Sequence, residues 1–453
     1  MQLAVLSAIV GGRMKKHCGK NQTRNHKFYA YIYNTVEVLF IKKKTEYYLS
    51  VSKTFVMSAA IQQSKQRIQS IDILRGVVML IMAIDHVRDF FHIAAWTDIP
   101  TNLATTTPQL FFTRWITHFC APAFVFLSGA SAFLAGQRKT KKELSIFLIK
   151  RGLWLVLIEL VVMSLAFSFN PLYNVFFLQV IWITGWSMVF LGLFVRTSMT
   201  YIILIGCIIT FGHNILDYVQ LPQQGATHVL WSLFFTASGT LFKYGQSRFV
   251  LDLYAILPWT GVMFLGYGFG TLYKKNSDAI RRRKTVLMIG IAVTIFFIVL
   301  RFINAYGDPG YWSTQKNGLY TLLSFLNTTK YPPSLCYLSM TIGPALIFLS
   351  LIETANNKVT SILSMYGRVP FFYYVLHFYM IHILCVIVFF ATGHTSKDII
   401  DPNVPFFFRP QHFGFDLPIV YAIWFFVIAV LYKPCKWFDN YRRTHTQWWL
   451  SYL

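Results

Sequence analysis

Charge is what this sequence has least of. Asp, Glu, Lys and Arg make up only 13% of its 453 residues, about half the share that keeps a soluble domain wetted. Hydrophobic residues account for 55% and aromatic residues for 18%, so most of the surface must face something other than water. Cysteine is sparse as well. The six present, Cys18, Cys120, Cys207, Cys336, Cys385 and Cys435, form no CxxC and no metal-ligand spacing, which argues against a disulfide scaffold or a zinc site. Four of them lie in or beside apolar runs, where a thiol acts as a small apolar group. The alternating pattern of membrane strands is missing, so a helical bundle is favoured over a barrel. The sequence holds no HExxH pair, no nucleotide-binding motif and no visible internal repeat, and no metal is expected.

What it does have is long apolar runs, several of them reaching the roughly 20 residues a helix needs to cross a bilayer. They predict spans near 73–92, 110–136, 146–168, 172–195, 199–218, 252–273, 285–304, 334–353, 369–392 and 415–433. The fold class is therefore all-α, a polytopic transmembrane bundle of about ten helices surrounded by membrane lipid. Lys and Arg number 41 against 17 Asp and Glu, a net charge of +24, and their placement matters more than their total. From Met57 onward, one alternate set of loops and loop flanks holds 21 Lys and Arg; the opposite set holds 6. The densest clusters, Arg138 to Lys142 and Lys274 to Lys284, fall on the first side. By the positive-inside rule both termini are cytoplasmic. Topology accounts for the basic balance without nucleic acid.

The first 56 residues carry ten Lys and Arg against two acidic residues and contain no adequate span. Their apolar run, Leu3 to Val10, precedes its positive charge, the reverse of a signal peptide. They read as an extension, with Met57 as the expected physiological start, ahead of a membrane domain over 66–437 and a tail over 438–453. Two long loops, 219–251 and 305–333, are expected on the outer face. The first holds a short apolar piece, Val229 to Leu241, that suits an interfacial or re-entrant segment. Small residues at 128–136 (SGASAFLAG) predict close helix packing.

Titratable groups inside spans are expensive and usually face a bundle interior. The first span concentrates them, in SIDILRGVVMLIMAIDHVRDFFH. Arg75 and His86 are eleven residues apart, so they share a helix face about 16 Å apart along the axis, with Met79 and Met82 between. Asp85 and Asp89 flank His86, and a carboxylate beside an imidazole can hold the tautomer a general base requires. His92 follows near the end of the span. A second constellation, GRVPFFYYVLHFYMIH, puts Tyr373, Tyr374 and His377 on one face, with His382 pointing elsewhere. Arg114, His118, Glu159, His213, Asp217 and Arg301 are further intramembrane polar groups. Together they predict a polar cavity; the same groups would also serve a proton-coupled transporter or permease, the competing reading. Paired repeats, common in such transporters, are absent.

RIQSIDILRGVVMLIMAIDHVRDFF resembles the opening of bacterial membrane proteins related to the catalytic domain of heparan-alpha-glucosaminide N-acetyltransferase. APAFVFLSG, LPWTGVMFLGYGFG, the YGDP and KYPPSL loops, GRVPFFYYVLH and FDLPIVYAIWFF extend the resemblance over about 66–437. Arg75 and His86 also match the Arg, ten residues, His pattern of the wider membrane acyltransferase group. The resemblance implies transfer of an acyl group, usually acetyl, from cytosolic acyl-CoA to an amine or hydroxyl of a carbohydrate or lipid-linked sugar at the outer face, in a bacterial-type inner membrane. It leaves homo-oligomerisation open. Under it, Arg75, Arg138, Lys142 and Arg151 are candidates for the CoA phosphates, and His86, His92, Asp85, Asp89 and His377 for the catalytic groups. FFHIAAW resembles the segment carrying the named enzyme's active histidine, pointing to His92, although the spacing to Trp96 differs by one residue. The wider group's pattern points to His86 instead.

Overall fold

The computed structural model describes residues 69–451 except 221, 223, 238, 275 and 276; the 1–56 extension and the expected start at Met57 lie outside the described residues. Apolar helices occur wherever the sequence predicts a span. Helix α1 (Gln69–Phe91) carries Asp72 in its first turn, where a carboxylate favours the helix dipole. Then come α2 (Pro108–Thr117), α3 (Cys120–Gly136), α4 (Lys141–Ile158) and α5 (Ser164–Ser168). A reciprocal Thr140–Glu143 capping box opens α4. After strand β1 (Val175–Leu178) follow α6 (Val180–Phe194) and α7 (Met199–Gly212), then the short α8 (Gly225–Trp231) and strands β2 (Thr240–Lys243) and β3 (Phe249–Asp252). The chain continues through α9 (Ile256–Phe269), α10 (Ala279–Ile303), α11 (Gly318–Leu326) and α12 (Leu335–Leu351). It closes with α13 (Lys358–Arg368), α14 (Pro370–Ala391) and α15 (Leu417–Thr444). The long α15 runs on into the segment expected as a tail and ends at Thr444. Among the described residues, five helical stretches, Pro108–Gly136, Met199–Tyr218, Ala279–Ile303, Pro370–Ala391 and Leu417–Thr444, are long and apolar enough to cross a membrane. The protein is an all-α, multi-pass membrane bundle.

The expected spans 110–136 and 172–195 are not single helices. The 110–136 run turns at His118, between α2 and α3. Pro122 has no N–H to donate to the His118 carbonyl, and that carbonyl accepts instead from the Tyr337 hydroxyl at 2.9 Å. The 172–195 run begins as a strand. Pro171 follows Phe169, whose φ of 49° ends α5, and the chain extends into β1. There it pairs parallel to β3, which pairs antiparallel to β2, in the order β1-β3-β2.

Glycines let helix backbones touch, as small residues do in membrane bundles. Gly129 on α3 meets Met263 and Tyr267 of α9, and Gly266 meets Phe126 in return. Gly152 and Gly185 face each other between α4 and α6, and Gly76 and Gly367 bring α13 against α1. The 305–333 loop is tied down by Arg301, which donates to the carbonyls of Gly310, Ser324, Phe325 and Asn327. Asp308 accepts from Gly310 N–H, Thr329 N–H and the Thr329 and Ser334 hydroxyls.

Candidate active site

The C-terminal half of α1 forms one wall of a cavity of about 400 Å³, within the roughly 300–1,000 Å³ range of ligand sites. From α1 it takes Met79, Met82, Asp85, His86, Arg88 and Asp89, and from α2 Arg114. The small sheet contributes Phe177 and Leu251, and Gln179 sits at the mouth of α6. The clamped loop delivers Lys330 and Tyr331; α14 adds Tyr374, and the 392–416 connection adds Phe406.

The histidines of α1 and α14 meet here. His86 Nδ1 lies 2.7 Å from His377 Nε2, and His377 Nδ1 lies 3.0 Å from the Tyr373 carbonyl. A carbonyl can only accept, so His377 Nδ1 carries the proton. Neutral His377 then offers a lone pair at Nε2, to which His86 Nδ1–H donates. That order leaves His86 Nε2 with its lone pair. His377 is fully buried, and Phe378 packs on His86 at 4.0 Å between ring centroids. His86 is thus oriented by another imidazole rather than by the carboxylate beside it in sequence, because Asp85 is engaged elsewhere.

Asp85 pairs with Arg114 and stands 3.4 Å from Arg88; Arg88 also pairs with Asp89 at 2.6 Å. The Arg88 side chain is 6% exposed, yet its Nε and Nη1 have no hydrogen-bond partner. No carboxylate among the described residues pairs with Lys330, whose ammonium lies 5.0 Å from the Tyr331 ring centroid. Burial opposes ionisation of the Tyr331 phenol, but the charges of Lys330 and Arg114, with hydrogen bonds to Tyr254 and Lys330, hold the phenol below its ordinary value.

The other expected site residues stand apart from the cavity. His92 is buried, accepts from Ala94 N–H at 3.3 Å and lends its carbonyl to Arg409 at 2.7 Å; Ala95 and Trp96 are the residues of FFHIAAW that line the cavity. Arg75 donates to Asp72, to Ser131 Oγ at 2.6 Å and to the Gly367 carbonyl. Arg138 and Lys142 are exposed and Arg151 is half-buried on α4. His382 places its two ring nitrogens 2.9 Å from the carbonyls of Ala166 and Phe407, a packing role. Among the described residues no group of three His, Cys, Asp or Glu is arranged to hold a metal ion. Sequence reasoning missed Lys330 and Gln179; it counted Arg114 among the polar groups of an expected cavity and placed Tyr374 on the helix face of His377, and both line the cavity.

The family model for heparan-alpha-glucosaminide N-acetyltransferase, catalytic, matches residues 67–304, more than half of the chain. The chain belongs to that family. No curated protein matches it. The N-acetyltransferase family is one of membrane enzymes that in general take acetyl-CoA as donor. Its matched stretch carries Asp85, His86, Arg88, Asp89 and Arg114, whereas Lys330, Tyr331, Tyr374, His377 and Phe406 come from beyond residue 304.

Proposed function

We propose that the protein is an integral membrane acyltransferase that moves an acyl group, most simply acetyl, from cytosolic acyl-CoA to an amine or hydroxyl of a sugar-type acceptor at the outer face. The observation that carries this reading is the ordered pair His86–His377, which leaves Nε2 unprotonated on His86, a residue of the cavity wall. Nε2 takes the proton of the acceptor N–H or O–H as that atom attacks the thioester carbonyl. The carbon–sulfur bond breaks, and the resulting thiolate of CoA recovers the proton from the imidazolium. The imidazolium keeps its Nδ1–H bond to His377 throughout, so no rearrangement is needed as charge appears. Aromatic faces at Trp96, Tyr254 and Phe406 suit a sugar ring, and Arg75, Arg138, Lys142 and Arg151 remain the candidates for guiding CoA phosphates towards the bundle.

The test is binding and hydrolysis of acetyl-CoA by the detergent-purified protein, wild type beside His86→Ala. Saturable binding in both, with turnover reduced at least about a hundredfold in the variant, is the expected result. Folded wild-type protein that fails to bind acetyl-CoA would return the polar cavity to the transporter reading.

A further inference from the structure

The charges around the cavity do not cancel. Two carboxylates, Asp85 and Asp89, face three cations, Arg88, Arg114 and Lys330. Both carboxylates are engaged by the arginines; Lys330 bonds to the Tyr331 hydroxyl but has no carboxylate partner among the described residues. Arg88 also keeps buried N–H groups without an acceptor. Removing an uncompensated cation from bulk water is costly, and a flexible lysine would be expected to reach solvent instead. Here it is held in place: Thr329 N–H and Oγ1 both bond to Asp308 at 2.9 Å, fixing the residue just before Lys330, and Lys330 lies half-buried between Tyr331 and Tyr254.

We propose that the second substrate of this cavity carries one anionic group, a carboxylate or a phosphoryl group, which pairs with Lys330. This deepens the acyltransferase reading and rests on it for the word substrate. The acceptor class it names is an acidic sugar, such as a sugar phosphate or a uronate-type amine or alcohol, rather than a neutral one. A surplus of one positive charge suits one such group; the several charges of the CoA phosphates would need a larger surplus. Lys330 lies in the KYPPSL loop, outside the stretch matched by the family model.

The experiment compares glucosamine, glucosamine 6-phosphate and inorganic phosphate as probes. Their equilibrium binding to the full detergent-purified chain is measured without donor, for wild type, Lys330→Gln and Lys330→Arg. Glucosamine 6-phosphate is expected to bind at least about 30-fold more tightly than glucosamine. Lys330→Gln should erase the difference and Lys330→Arg restore most of it, while acetyl-CoA affinity stays the same in all three. A weakened acetyl-CoA affinity in Lys330→Gln would assign the lysine to the donor's phosphates and overturn the proposal. So would equal loss of turnover on both sugars with binding unchanged, the sign of a group acting on the reacting oxygen. Absence of anion-selective binding by any probe would overturn it too. Lys330-dependent phosphate binding in a protein that transfers no acyl group would keep the anion subsite and sink only the transferase reading.

Discussion

A carbonyl oxygen has lone pairs and no proton, and at residue scale that one constraint propagates from Tyr373 through His377 to His86. His377 therefore acts through His86 without touching the reactants. His377→Leu removes the acceptor of the His86 Nδ1–H bond and frees the ring to rotate or change tautomer; kcat should fall about tenfold or more with acetyl-CoA affinity retained. Gln places an amide oxygen near the position of Nε2, so His377→Gln should recover part of the loss. A kcat equal to wild type in His377→Leu would show that the orientation of His86 is set by something else. His86 was legible in the sequence because a cluster of ionisable groups in an apolar run is costly unless it does something. His377 was a candidate as well, but its pairing with His86 was not legible: the two histidines lie 291 positions apart, and the obvious neighbour, Asp85, turns to Arg114. Lys330 was hidden for a related reason. A lysine in a Gly- and Pro-rich loop reads as solvated until Arg301 and Asp308 are seen to hold that loop against the bundle.

At the scale of elements, the spans were legible because hydropathy over about 20 residues depends on little else. β1 was not: Val175–Leu178 is four apolar residues, which periodicity assigns equally to a buried helix or a strand, and its pairing with β3 is set by residues more than seventy positions away. The helix α13 was read as part of a loop, yet it packs closely on α1 through Gly76 and Gly367. A Cβ at Gly367 would collide with the Asp72 carbonyl, and one at Gly76 with the Leu363 carbonyl. Because α1 carries the whole acidic and histidine face of the cavity, separating α13 from it should disturb the site as well as the fold. Gly367→Val is expected to cost at least about 1–3 kcal/mol of stability, seen as a lower thermal midpoint and a smaller monodisperse fraction in detergent. Gly212→Ala is the matched control, since nothing lies within 4 Å of a Cβ there; it should be neutral or stabilising by up to about 1 kcal/mol. Equal behaviour of the two variants would mean that the α1–α13 crossing can relax.

For the whole molecule, the question is which end of the bundle meets the cytoplasm, and the contacts between helix ends group the basic segments before any membrane rule is applied. Arg75 on α1 bonds to Ser131 near the end of α3, Gln137 Nε2 donates to the Tyr273 carbonyl at 3.4 Å, and Arg282 lies over the Tyr273 ring while pairing with Glu353. Lys141 reaches the Thr197 carbonyl at 2.9 Å, and Arg368 pairs with Asp439 near the end of α15. These links gather Arg138, Lys142, Arg281, Arg283, Lys284, Arg442 and Arg443 at one end, the end where α1 begins. His86 and its cavity lie about 16 Å along α1 from Arg75, in the other half. From the 21-to-6 division of Lys and Arg between alternate loops and the positive-inside rule, we propose that this crowded end faces the cytoplasm. Reporters inserted after Lys142 and after Lys284 should both report cytoplasm, and one inserted at Lys316 should report the outside. A cytosolic donor would then enter at the basic end and present its thioester to the histidine pair deeper in the bundle, with the acceptor approaching from the opposite face. An external signal at Lys142 or Lys284 would invert that order: the cavity would open to the cytosol, and an acceptor would have to be found there instead.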